Sequence, residues 1–148
     1  MHGTRRFSLA ATLITVLASL CPLSSFAADE AIVSRVEAMD AGFPVQVLGN
    51  RLMAHKALSA FYATTGYQRA WQSPDLRRQL IDAVEQAAGD GLNPADYHAD
   101  ILSGLALRPM SDFSEDLRAD LDLLFSDAFL MLGSHMLEGK VNPQTVHA

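Results

Sequence analysis

From Asp29 onward, apolar residues recur at intervals of three and four, the spacing that lines one face of a helix. Ile32, Val36 and Met39 mark a first helix over residues 29–41, closed by Gly42. Pro44 pushes the residue before it out of the helical region, so residues 43–48 read as an extended connector, with a short strand as the other reading. Asn50 offers an N-cap for a second helix reaching Thr65, with Leu52, Leu58, Phe61 and Tyr62 on its apolar face and Gly66 just past its end. A third helix has the clearest boundary: Ser73 as cap, Pro74 in the first turn and Asp75 toward the positive end of the dipole. Leu76, Leu80, Val84 and Ala87 follow at helical spacing until Gly89. Asn93-Pro94 repeats the cap-then-proline pattern ahead of a short helix containing Asp96, with Tyr97 and His98 just beyond. Residues 101–107 give one or two further turns, and residues 108–112 a loop.

The last helix, over residues 114–138, is the longest. Asp116, Asp120, Asp127, Ser134 and Glu138 form one stripe, which reads as the solvated face. The other faces carry Leu117, Leu121, Leu124, Phe125, Ala128, Phe129, Leu132 and Met136, an arc wide enough to predict packing from several sides. The expected fold is all-α, a compact multi-helix bundle around a long C-terminal helix, preceded by a signal peptide. Convincing period-2 strands longer than a few residues are not visible, nor are internal repeats.

The signal peptide is read from the uncharged stretch behind Arg5 and Arg6, whose apolar centre spans residues 9–20 and is broken by Pro22. Ser25-Phe26-Ala27 places small residues where a signal peptidase reads, giving cleavage after Ala27, a signal peptide at 1–27 and a periplasmic chain. An uncleaved anchor is the alternative reading; lipidation at Cys21 and twin-arginine export fit the local sequence less well. Removing 27 of 148 residues leaves 121, one domain's worth. Nine basic residues then face 17 acidic ones, a balance of −8 that disfavours nucleic acid and anionic membrane surfaces. The membrane is met only transiently, through the signal peptide. Cys21 is the only cysteine, so the cleaved chain would carry no thiol nucleophile, disulfide or cysteine metal site.

Other chemistry fails on geometry. Ser134 and His135 are adjacent, and on a helix their side chains diverge by about 100°, too far for a nucleophile and its base. His55, His98, His135 and His147 show no pair at ligand spacing, so neither metal nor cofactor is expected. Asp122 and Asp127 stand about 140° apart around the helix and do not face each other. Asp122 has close apolar neighbours, and accepting hydrogen bonds from a loop or pairing with an arginine is the role expected of it. Tyr67, Trp71 and Tyr97 lie in connectors, either as an interaction surface or as core fillers; their size favours the core.

Four stretches, in order, resemble the scaffold domain of the large Gram-negative L,D-transpeptidases. The first is the series Phe61-Tyr62, Gly66-Tyr67, Ala70-Trp71. The second is Asp90-Gly91-Leu92-Asn93-Pro94-Ala95-Asp96-Tyr97-His98, and the third runs from Leu121-Asp122 through Asp127 to Phe129. The fourth is Gly139-Lys140-Val141-Asn142-Pro143, where the family usually has arginine and aspartate at positions 140 and 142. The resemblance places a scaffold domain at 50–143, after an N-terminal helix and connector at 28–49 and before a tail at 144–148. It implies Tyr62, Tyr67, Trp71, Asp90, Gly91, Leu92, Pro94, Tyr97, Asp122, Asp127, Gly139 and Pro143 as structural or interaction positions. It also implies a periplasmic role in peptidoglycan cross-linking, with the family's catalytic and peptidoglycan-binding domains, other cell-wall proteins or peptidoglycan itself as partners. The family's nucleophile is a cysteine in a later β-rich domain, in a Ser-His-Gly-Cys run that no position here matches. The expectation is thus a non-catalytic, truncated scaffold. An incomplete product of a full transpeptidase and an unrelated secreted helical adaptor are the alternatives.

Overall fold

Asp29 opens the first helix, α1 (Glu30–Asp40), because its carboxylate accepts the otherwise unpaired N–H groups of Ala31 and Ile32. The computed structural model to which α1 belongs describes residues 27–138. The expected signal peptide up to residue 26, the expected tail, Gly139 and Pro143 therefore lie outside the described residues. Ile32, Val36 and Met39 are buried, as their spacing predicts.

The connector departs from a plain extended run. Gln46–Val47 (β1) pairs antiparallel with Asn50–Arg51 (β2), Gln46 opposite Arg51 and Val47 opposite Asn50. Leu48 and Gly49 reverse the chain with φ of 48° and 77°, the pair of positive values that tight hairpin turns require. Asn50 is consequently no helix cap: it sits in β2, and the second helix, α2 (His55–Thr64), starts five residues later without a side-chain cap of its own. Leu52, expected on that helix, is buried in the loop ahead of it. The far end of α2 follows expectation. Gly66 is left-handed, and the N–H of Tyr67 reaches back to the carbonyl of Tyr62 at 2.8 Å, closing the last turn.

α3 (Pro74–Gln86) begins as read, with Ser73 accepting from the N–H of Leu76. Its buried face is shifted from the predicted one. Leu76 is 47 % exposed, whereas Arg77, Leu80, Ile81 and Val84 point inward. Gly89 does not end the element either. A 3-10 turn (Ala87–Asp90) continues it, and left-handed Gly91 makes the reversal. Asn93 then caps a second 3-10 turn (Pro94–Tyr97), accepting from the N–H of Ala95. α4 (Ala99–Leu105) and a third 3-10 turn (Met110–Asp112) lead to α5 (Glu115–Glu138).

α5 is the post of the bundle, touching α1, α2, α3, β1 and the Pro94–Tyr97 turn. Residues 121–128 are buried without interruption, so this stretch is enclosed on every side. A mostly helical bundle around a long C-terminal helix, with one two-stranded hairpin, is thus the observed architecture. Two details differ from the sequence reading. Asp127, assigned to the solvated stripe, is fully buried, while Phe129 and Met136, assigned to the core, are 47 % and 61 % exposed. At the other end of α5, Arg35 of α1 pairs with Asp120, and Arg69 bridges Asp29 and Glu115 at 2.6 and 2.9 Å.

Candidate functional site

The buried polar groups cluster where connectors meet α5, because backbone N–H and C=O groups leaving a helix or hairpin need partners once water is excluded. Asp122 and Ser126, one helical turn apart, present side chains to the connector between α2 and α3. Asp122 Oδ1 accepts from the N–H of Ala70 at 3.1 Å, and Oδ2 from the N–H of Trp71 at 2.9 Å. Tyr62, on α2, donates its hydroxyl to Oδ1 at 2.6 Å. That commits the phenol proton, so the contact of 2.8 Å between Tyr62 Oη and Ser126 Oγ is donated by the serine. The indole Nε1–H of Trp71 donates to the same Ser126 oxygen at 2.8 Å. The result is a closed relay from indole to hydroxyl to phenol to carboxylate. Trp71 also stacks on Phe125 and meets Phe129 edge-on, both with ring centroids 5.8 Å apart.

Burial raises the Asp122 carboxyl above its ordinary range, outweighing the hydrogen bonds from Tyr62, Trp71 and Ala70 and the nearby charge of Arg69. Burial, followed by the negative charge of Asp122, drives the Tyr62 phenol well above its usual value and keeps it a neutral donor.

Asp127 forms a second joint. Its Oδ1 accepts from the N–H groups of Met53 and Ala54 at 2.9 and 2.7 Å, fixing the entry to α2 that lacks its own cap. Oδ2 takes the Nε2–H of His98 at 2.7 Å. His98 has φ of 58°, a strained value for a residue with a β-carbon, and this contact holds it there. Its neighbour Tyr97 places its hydroxyl 2.8 Å from Nδ1 of His135, so the last residue of the 3-10 turn and the one after it are each tied to α5.

Arg77 makes the third joint. Its Nε donates to the carbonyl of Ala106 at 2.8 Å and its Nη1 to those of Trp71 and Gln72 at 2.7 and 2.8 Å. Nη2 reaches the carbonyl of Arg108 at 3.1 Å. The guanidinium thus gathers carbonyls from two connectors, the approach to α3 and the exit of α4, where the helix dipole is negative. Burial lowers its pKa from the ordinary value. Among the described residues, no buried side-chain nitrogen or oxygen lacks a partner.

Two surface grooves flank these joints. One, of about 540 Å³, lies between the start of α2 and α5 and is lined by Met53, His55, Lys56, Met131 and His135 among others. The other, of about 320 Å³ and more apolar, runs between α3 and α5. Among the described residues, no group of three histidines, cysteines or carboxylates is placed to hold a metal ion. None of the described helices is long and apolar enough to cross a membrane.

A family model described as the Scaffold domain matches residues 56–148. The chain belongs to this Scaffold domain family. No curated protein matches the chain, and no solved structure does. Within the Scaffold domain, the described positions singled out from sequence separate into three groups. Tyr62, Trp71, Tyr97, Asp122 and Asp127 are buried, and hydrogen bonds tie each of them to another element. Leu92 is buried and Gly91 makes its turn, so both serve the chain path. Tyr67 is half-buried with φ of 58°, Pro94 is half-buried, and Asp90 is exposed. Ser126, Arg77 and His98 take part in these joints but were not singled out from the sequence. Arg77 carried a legible signal: it stands three and seven residues before Leu80 and Val84, on the apolar face of α3. Ser126 and His98 carried none, because their partners are 64 and 29 residues away.

Proposed function

We propose that this chain is the helical scaffold of a peptidoglycan-cross-linking L,D-transpeptidase, exported to the periplasm and working through the surfaces it presents rather than by catalysis. The observation that carries this reading is where the resembling residues spend their polar atoms. Tyr62, Trp71, Asp122 and Asp127 bond to one another or to backbone N–H groups of connectors. A catalytic group needs an atom open to substrate; these positions use theirs to lock loops onto α5. The Scaffold family match over residues 56–148 supports the same reading. With the leader removed after Ala27, no thiol remains to form an acyl bond with a stem peptide. The partners of such a module are the catalytic and peptidoglycan-binding domains of a transpeptidase, or the wall polymer.

Sedimentation with isolated sacculi, with and without an L,D-transpeptidase catalytic domain, tests this. The expected result is retention that depends on the sacculi or on the catalytic domain, and no cross-linked muropeptide when the chain is alone. Failure to bind either, or a covalent adduct between the purified chain and a stem peptide, overturns the proposal. The downstream reading frame gives an independent check, since the parent enzyme would encode a Ser-His-Gly-Cys run there.

A further inference from the structure

We infer that the groove between the start of α2 and α5 recognises an acidic peptide segment of a partner protein, one that sets a carboxylate beside an apolar side chain. The distribution of charge singles out this place. The chain as a whole is acidic, with 17 aspartates and glutamates against 11 lysines and arginines. Among the described residues, Arg35, Arg69, Arg78, Arg108 and Arg118 are each paired with a carboxylate, and Arg77 is spent on backbone carbonyls. Arg51 and Lys56 are exposed, pair with none of the described carboxylates, and bracket Met53 in the chain. Lys56 lines the groove with His55, Ser134 and His135, and no described carboxylate lines it. Cationic groups left without internal partners, gathered at one groove of an acidic molecule, complement an anion from outside.

The groove is also built, because both walls are held from behind by buried side chains. On the α2 side, Asp127 accepts from the N–H groups of Met53 and Ala54 and is itself bonded to His98. On the α5 side, the Tyr97 hydroxyl engages Nδ1 of His135, which leaves Nε2 as the ring nitrogen without a described partner. His55 is oriented too, its Nε2–H donating to the carbonyl of Leu52 at 2.7 Å. Side chains fixed in advance lose little freedom when a ligand binds. The volume, about 540 Å³, lies within the ~300–1,000 Å³ that ligand sites span.

The apolar part of the lining decides which anion fits. Met53 is 59 % exposed, and Leu130 and Met131 extend the same surface. Inorganic phosphate has nothing to place against these side chains. An apolar peptide side chain does, and unbranched methionines repack around it. Nucleic acid and anionic membrane surfaces extend their charge well past one groove, where they meet the acidic remainder of the molecule. A short acidic segment confines its charge within about one screening length, ~8 Å. The inference does not rest on the transpeptidase reading, since it follows from the chemistry of the groove.

Selection from a display library of random heptapeptides on the full chain, at about 150 mM salt, tests it. Enriched peptides should carry glutamate or aspartate next to leucine, methionine or phenylalanine. A fluorescein-labelled synthetic copy of the enriched sequence then reports affinity by anisotropy. Lys56→Glu combined with Arg51→Glu should weaken binding at least ~tenfold. Arg78→Glu combined with Arg108→Glu makes the same change in net charge at exposed residues that do not line the groove, and should weaken it less than ~twofold. Met53→Gln should weaken it about threefold, since the apolar contact is lost. In the unaltered chain, the ring-proton resonances of His55 and His135 should shift as the peptide is added. No acidic enrichment, equal losses in the two double variants, or unmoved histidine resonances overturn the inference. Full displacement by inorganic phosphate with Met53→Gln unaffected overturns it in favour of a simple anion. Groove-dependent binding to phosphatidylglycerol vesicles, or self-association abolished by Lys56→Glu, overturns it in favour of a membrane or a second copy.

Discussion

Asp122 takes three hydrogen bonds while nearly out of water, and its partners come from two separate elements. Removing it orphans the N–H groups of Ala70 and Trp71 and takes the acceptor from Tyr62, each a desolvated donor costing ~1–3 kcal/mol. Asp122→Ala should therefore cost about 3–5 kcal/mol in urea unfolding and lower the melting temperature by roughly 10 °C or more. An unchanged melt would remove the carboxylate from its central place. The direction of its pH effect also follows. Burial raises the native carboxyl above its unfolded value, so the native state holds this proton more tightly than the unfolded chain does. The resulting contribution to stability is complete below the unfolded pKa of about 3.9 and is lost as pH rises through the raised native value. Asp122→Asn cannot titrate. The stability of the wild type minus that of Asp122→Asn should accordingly increase on acidification through that window. A difference that shrinks instead would mean that the three donors outweigh burial.

At the scale of elements, helices here are held by what happens at their ends. α2 has no cap of its own and is started by Asp127, more than 70 residues away. α4 leaves through Ala106, whose carbonyl is taken by Arg77 of α3. Arg77 is an instructive case because its partners are carbonyls rather than carboxylates, so its planar fork matters more than its charge. A lysine has three donors on a single nitrogen and cannot reach carbonyls spread around a guanidinium. Arg77→Lys should thus destabilise by about 2–4 kcal/mol, close to the loss from Arg77→Met, when both are measured by denaturant unfolding. A lysine variant as stable as the wild type would show that charge, not the fork, carries the contact.

For the molecule as a whole, the boundary of the family match and the boundary of the core do not coincide. α1 precedes residue 56, where the match begins, yet Ile32, Val36 and Met39 are buried in the same cluster as the α5 leucines. Burying three such side chains stabilises by about 1.5–3 kcal/mol each, comparable to the total stability of a small domain. Ion pairs from Arg35 to Asp120 and from Arg69 to Asp29 add fixed geometry at the same seam. A chain lacking residues 27–49 should therefore lose its cooperative thermal transition by circular dichroism. A sharp transition retained after that deletion would make α1 an accessory to an autonomous bundle.

Local signals in the sequence determined the helical character of the chain, most of its helix boundaries and the central place of α5. Ser73, Pro74, Asn93 and Gly66 act on backbone groups within a few residues of themselves, and such signals are complete in a short window of sequence. The same window could not decide which polar residues are inside. Asp127 shares a helical stripe with Asp116, and Arg77 adjoins the charged Arg78, yet one member of each pair is buried and the other exposed. Leu76 and Phe129 present the converse case, apolar by pattern and half open to solvent. Periodicity gives a residue's angle around its own helix. Only packing between helices decides which angles meet water and which meet a connector whose backbone groups need a partner.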